Sequence, residues 1–215
     1  MRVIVYVEGP SDKLAMEAVL DPLVALKRSQ GVSVEFFPVT KGDRKAQLLT
    51  AYPKKAANIV LNDPHATVVL IPDLYPKNKG FPHGTVVEMT KGVLKRFEQA
   101  LADKGRSDEG VTSRFRMFCF KHDLEALLLA AEPALRRFLN VRELPVTWVL
   151  PVEDQDHDLP PKRVVERLFE QRGRRCVDTT HAPSILRASD CHDLATRCPQ
   201  CFGPFVKFLE QLAKP

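Results

Sequence analysis

The amino-acid sequence predicts an α/β protein. Its Rossmann-like, three-layer domain has a roughly four-stranded parallel sheet and occupies residues 1–143, and a helical C-terminal extension, residues 144–215, packs on the same domain. Three observations carry this. Short apolar, β-branched runs at 3–7 and 66–71 lack polar alternation, as strands covered on both faces do. Each run is followed by a helix-length segment, the rhythm of βαβ units with right-handed crossovers. From residue 144 the strand-like runs stop, and Pro145, Pro151, Pro160 and Pro161 punctuate an acidic loop at 153–158.

The first run, VIVYV, ends at Glu8-Gly9-Pro10, with Ser11 and Asp12 where a helix takes its caps. Apolar residues from Leu14 to Leu26 recur near a 3.6 period and predict a helix, kinked or restarted at Asp21-Pro22. Residues 32–39 read as the second strand, and Asp43 as the cap of a helix over about 44–61 with Pro53 in its middle. The third strand, ATVVLI, gives the strongest strand signal and ends at Pro72-Asp73. A Gly/Pro-rich loop follows at 74–84, longer than the usual connection, and long loops at the ligand rim tend to be functional. A third helix is predicted from about 85 to 104, a charged linker at 105–113, a fourth strand at 115–120 and a helix at 124–130. Helices near 162–171 and 203–212 close the chain, and Trp148 is expected to pack between sheet and extension.

Composition narrows the function classes. No apolar run is long enough to span a bilayer, and no charge block with a cleavage site precedes the first strand. The five cysteines form no compact framework, which fits reduced thiols and a cytoplasmic protein. A formal charge of +5 is compatible with a nucleic-acid partner without requiring one, since the positive charge is dispersed: Lys41, Arg44 and Lys45, then Lys77 and Lys79, then Arg172, Arg174 and Arg175. No Gly-x-Gly-x-x-Gly follows the first strand and no Walker Gly-Lys-Ser/Thr occurs, which argues against dinucleotide binding and NTPase activity. Cys191-His192 and Cys198-x-x-Cys201 have a zinc-like spacing. Adjacent Cys191 and His192 can hardly ligate one ion, and Pro199 and Pro204 suit a helix start, so the balance is against structural zinc. His181 and His192 read as helix-terminal or surface histidines.

Parallel strands present their carboxyl ends on one rim. Glu8, Thr40-Lys41, Asp73 and the run Lys121-His122-Asp123 with Glu125 all follow strands. Hard carboxylate oxygens without a thiolate or histidine set suit Mg²⁺ (or Mn²⁺) better than zinc. Each residue also has a plainer reading. Glu8 is as well explained by a salt bridge to Lys41 or by capping the next helix, and His122, Asp123 and Glu125 by an ordinary helix start.

Glu8-Gly9 and Asp73 resemble the Toprim domain, the Mg²⁺-binding module of topoisomerases, bacterial primases and OLD-type nucleases. That family has a Glu after its first strand and an Asp-x-Asp pair after its third. Together, VEGPSDK, IPDLYP, HDLEALL, PPKRVVERLF, HAPSIL and CPQCFGPFVKFLEQL are similar to a small uncharacterised Toprim-related family often encoded beside ATPases in phage-defence operons. The resemblance implies a Mg²⁺-dependent nuclease or nuclease subunit acting on nucleic acid, with a partner ATPase. Glu8 then matches the Toprim glutamate and Asp73 the first aspartate, while Tyr75 stands where the second is expected. His122 and Glu125 match that family's His-x-x-Glu, and Asp123 or Glu125 would supply the missing carboxylate. In that reading the metal ligands are drawn from Glu8, Asp73, Asp123 and Glu125. Lys41 and Lys121 would meet the substrate phosphate, and His122 would protonate the leaving oxygen. The alternative is a catalytically silent Toprim-fold binding or regulatory module, its rim carboxylates paired with Lys41 and Lys121.

Overall fold

The computed structural model describes residues 1–78, 81–106, 109–122, 124–155 and 158–213. It is an α/β protein with one four-stranded parallel sheet, of strand order β2-β1-β3-β4. The strands are β1 (Arg2–Val7), β2 (Ser33–Pro38), β3 (Ala66–Ile71) and β4 (Phe115–Met117). Around them run α1 (Pro10–Ser29), α2 (Arg44–Thr50), α3 (Tyr52–Asn62), α4 (Val86–Ala102) and the single turn α5 (Glu109–Thr112). Then come α6 (Glu125–Ala130), α7 (Glu132–Leu139), a 3-10 turn at Val152–Asp154, α8 (Pro161–Glu170), α9 (Asp178–Arg187), α10 (Cys191–Arg197) and α11 (Phe202–Gln211).

Two compact units make up the chain: a sheet unit of Met1–Pro10, Val24–Cys119 and Leu212–Pro215, and a helical unit of Ser11–Leu23 and Phe120–Gln211. The line drawn from sequence at 143/144 lies inside the helical unit.

In the sheet unit, β1 pairs with β2 and β3 over its whole length, with Val7 opposite both Pro38 and Ile71. All six residues of β3 are buried, which is why it reads as an unbroken apolar run. Ile4, Tyr6, Val68 and Leu70 share a core with Leu48 and Leu49 of α2, Ala56 and Val60 of α3, and Val93 and Phe97 of α4. Phe97 stacks on Phe115 with ring centroids 4.2 Å apart.

Several elements differ from the sequence expectation. α1 runs unbroken through Pro22 because Val19, Leu20 and Leu23 are buried around it, and that burial outweighs the hydrogen bond the ring removes. The single helix expected over 44–61 is two. Asp43 caps α2 as predicted, accepting from the Ala46 amide at 2.9 Å, but the chain breaks at Ala51, and Pro53 falls in the first turn of α3, where a missing N–H costs nothing. The fourth strand is three residues long, since only Val68, Val69 and Leu70 pair with it. The helices α5, α7, α9 and α10 are additional. α9 carries Pro183 in its interior, and α10 is short but well capped, Asp190 accepting from the amides of His192 and Asp193 at 2.8 and 3.1 Å.

In the helical unit, the buried Glu153 accepts from the amides of Gln200 and Cys201 at 2.8 and 2.7 Å, just before α11. A carboxylate is favourable at those leading N–H groups. Trp148 is half-buried and borders a 340 Å³ pocket with Glu132, Arg136 and Leu144 of this same unit.

Candidate active site at the sheet edge

The strand order dictates where the sheet unit can hold a ligand. From β1 the chain crosses to β2 on one side, and from β3 it crosses to β4 on the other, so the loops after β1 and β3 diverge. Such a switch point opens a crevice at the carboxyl ends of the strands. Glu8 follows β1 and Asp73 follows β3, so both stand at it.

They are coupled directly. The Asp73 amide donates to Glu8 Oε1 at 2.9 Å. Lys45 Nζ lies 3.7 Å from the same oxygen and donates to the Pro76 carbonyl at 3.0 Å. The Glu8 and Lys45 side chains are only 17% and 9% exposed, so their attraction is less screened than that of a surface pair. Cys119, buried beside this group, has its thiol pushed up, first by burial and then by the carboxylates of Asp73 and Glu8. It packs on Met89, with the sulfurs 3.7 Å apart, and behaves as a small apolar side chain rather than a nucleophile.

The described residues of the loop after Asp73 are anchored. Leu74 is buried and Tyr75 packs half-buried against the core. His83 is buried, with Nδ1 2.6 Å from the Phe81 carbonyl and Nε2 3.4 Å from that of Leu74. Phe81 lies on α4 over Gly92, where a Cβ would meet its ring at 2.6 Å. Thr85 caps α4, accepting from the Glu88 amide at 3.1 Å, and Glu88 reaches back to the Gly84 amide at 2.5 Å.

The remaining residues singled out from the sequence are found as follows. Lys41 is exposed, whereas Lys45 meets Glu8. Lys121, His122 and Glu125 belong to the helical unit and have partners there. Lys121 Nζ donates to Asp154 Oδ1 at 2.7 Å, which, with a hydrogen bond from Gln200, holds the Asp154 carboxyl below its usual range. The buried His122 has Nε2 2.9 Å from the Gln155 carbonyl. Glu125, buried at the start of α6, lies 3.4 Å from Lys162, which also faces Asp178 at 3.5 Å. Asp123 lies outside the described residues. Among the described residues, no three His, Cys, Asp or Glu side chains gather as a metal site. Of the zinc-like residues, Cys191, Cys198 and Cys201 are buried, and His192 is exposed and 3.2 Å from Glu210. His181 accepts from the Val177 amide at 3.0 Å and stacks on Phe169 at 5.3 Å.

The family of this chain is decided over nearly all of its length: residues 7–210 match the domain of unknown function DUF4276. The chain belongs to that family. No curated protein matches it. Solved structures with a similar chain trace include the C-terminal region of the Burkholderia pseudomallei OLD protein, at 16% identity and a TM-score of 0.48, covering 97% of this chain and 96% of that one. Another is the C-terminal region of the Xanthomonas campestris pv. campestris OLD protein, at 13% identity and a TM-score of 0.45, covering 97% and 95%. No helix among the described residues of this DUF4276 chain is long and apolar enough to cross a membrane.

Proposed function

We propose that the switch-point crevice of the sheet unit is a Mg²⁺- or Mn²⁺-dependent phosphodiesterase site acting on nucleic acid. The observation that supports this is the meeting of Glu8 and Asp73, the Asp73 amide donating to Glu8 at 2.9 Å where the loops after β1 and β3 part. Two hard-oxygen carboxylates fit the way Mg²⁺ is held, by one or two carboxylates together with substrate phosphates and waters rather than by an all-protein cage. Glu8 and Asp73 would be the holding residues. When bound, such an ion polarises the scissile phosphate and acidifies a water.

The chain's own groups supply orientation and charge. The Asp73 amide fixes the Glu8 carboxylate. Lys45, on α2, sets a cation beside it, and the exposed Lys41 is the proposed contact for a substrate phosphate. An associated ATPase, implied by the family resemblance, remains part of the proposal.

One observation favours a second reading, a silent binding module. Lys45 Nζ, 3.7 Å from Glu8 Oε1, already compensates that charge, and Tyr75 occupies the place of a second aspartate. Calorimetric titration of Mn²⁺ into wild type, Glu8→Gln and Lys45→Met separates the two. Saturable binding that is lost in Glu8→Gln and tightened in Lys45→Met, with Mn²⁺-dependent cleavage of labelled DNA or RNA, is the expected result. Absence of binding in both wild type and Lys45→Met, with no cleavage in the presence or absence of the ATPase, leaves the silent module.

A further inference from the structure

We propose that a groove along β1, β2 and α3 binds nucleotide units of a single-stranded nucleic acid, the base against Tyr52 and Phe37 and the phosphate at Lys55 and Arg2. This deepens the function proposed above by naming the form of substrate, and rests on that reading only for the idea that cleavage occurs beside the groove.

The groove encloses 630 Å³ and lies wholly within the sheet unit. Its length follows from its lining: Arg2 opens β1 and Asn62 closes α3, while Thr40 lies past the carboxyl end of β2. Six strand residues rise about 20 Å, room for more than one nucleotide.

The walls combine π-surface with the cations Lys55 and Arg2, the latter 3.3 Å from Glu35, and with one carboxylate, Asp63. Tyr6 meets Tyr52 edge-on, with ring centroids 4.7 Å apart, and Phe37 at 5.9 Å. Tyr52 and Phe37 are only half-buried, so aromatic surface faces the groove. The exposed Lys55 holds its ammonium 4.5 Å from the Tyr6 centroid and 4.8 Å from that of Tyr52. A ligand entering here meets aromatic faces and a positive charge together, and a flat base bearing a phosphate uses both. Base–aromatic stacking tolerates sequence, and the side-chain amide of Asn58, one turn along α3 from Lys55, lies within the same lining to meet base edges. A purely apolar ligand would leave Lys55 unused, and an acidic peptide would leave the rings unused and meet Asp63 in the same lining. Duplex bases are already stacked on one another and present no free face.

The groove also points at the proposed site. Arg2, Ile4 and Tyr6 line it from one face of β1, and Glu8 follows two residues after Tyr6, just past the end of that strand. A strand lying in the groove would therefore lead its backbone to the switch point.

The test is anisotropy of a fluorescein-labelled oligothymidylate with the full chain in EDTA, so that binding is read without any metal. Wild type is expected to bind. Tyr52→Ala weakens binding about tenfold, whereas Tyr52→Phe, which keeps the ring, binds as wild type does. Lys55→Ala weakens binding and lowers the slope of log affinity against log salt by about 0.7. Lys95→Ala, on α4 outside the groove, changes neither. Urea midpoints confirm that each variant is folded. Displacement by dTMP as effective as by oligonucleotide supports the site with a free nucleotide as ligand; displacement by oligonucleotide alone supports a single strand. No binding, equal displacement by duplex, or loss in Lys55→Ala with Tyr52→Ala unchanged overturns the groove. Binding without Mn²⁺-dependent cleavage keeps the groove and removes the metal reading.

Discussion

Glu8 and Glu153 solve the same problem, a carboxylate away from bulk water, in different ways. Glu8 is held by a backbone amide and a lysine, so its negative charge has a counter-charge at hand. Glu153 is 2% exposed and leans on the amides of Gln200 and Cys201, and its burial still pushes its carboxyl above the ordinary range against their effect. A folded chain that binds this proton more tightly than the unfolded chain gains stability at acid pH. That contribution is present below the unfolded value and is lost as pH rises through the raised folded one. The stability of wild type relative to the non-titrating Glu153→Gln is therefore expected to fall as pH rises from the acid into the neutral range. Urea midpoints of the two proteins across that range measure it, and a difference independent of pH would contradict the assignment.

Elements meet at glycines in both units, and the two contacts differ in how far they can give. On α4, a Cβ at Gly92 would meet the Phe81 ring at 2.6 Å, but that ring belongs to a loop side chain. At the start of α11, a Cβ at Gly203 would lie 2.8 Å from the Ala195 carbonyl oxygen of α10, which is backbone. Ala gains about 1 kcal/mol of helix propensity over Gly, whereas overpacking costs about 1–3 kcal/mol. Gly92→Ala is accordingly expected to lose about 1 kcal/mol and Gly203→Ala about 2 kcal/mol, read from denaturant midpoints at constant m-value.

Over the whole molecule, protection should follow the sheet's topology. β1 is hydrogen-bonded on both sides and β3 is buried at every residue, whereas β4 is a three-residue edge. Amide exchange read by mass spectrometry is expected to be slowest in Val3–Val7 and Ala66–Ile71 and faster in Phe115–Met117. Equal protection of β4 would mean that the edge is covered more fully than its pairing indicates. The helical unit has its own centre in Phe169, Phe202 and Phe205, all fully buried, so its protected amides are expected around those residues in α8 and α11.

The sequence by itself determined the α/β class, the parallel strands and the carboxylates that follow them. Burial on both faces leaves an apolar run whose end is marked by the first charged residue, and that signal is local. It also marked Asp43 as a cap, because the bond from Ala46 spans only three residues. Short helices such as α9 and α10 were illegible, being set by packing and by one capping side chain rather than by a long period. Strand order was equally out of reach, since the pairing of β1 with both β2 and β3 is non-local. Without that order the switch point cannot be drawn, and Glu8 and Asp73 are two rim residues among several. Lys45 was visible only as one charge in the run Lys41, Arg44, Lys45. Only the tertiary structure made it a cation at Glu8, because Lys45 shares the buried face of α2 with Leu48 and Leu49 while Lys41 lies before that helix and is exposed.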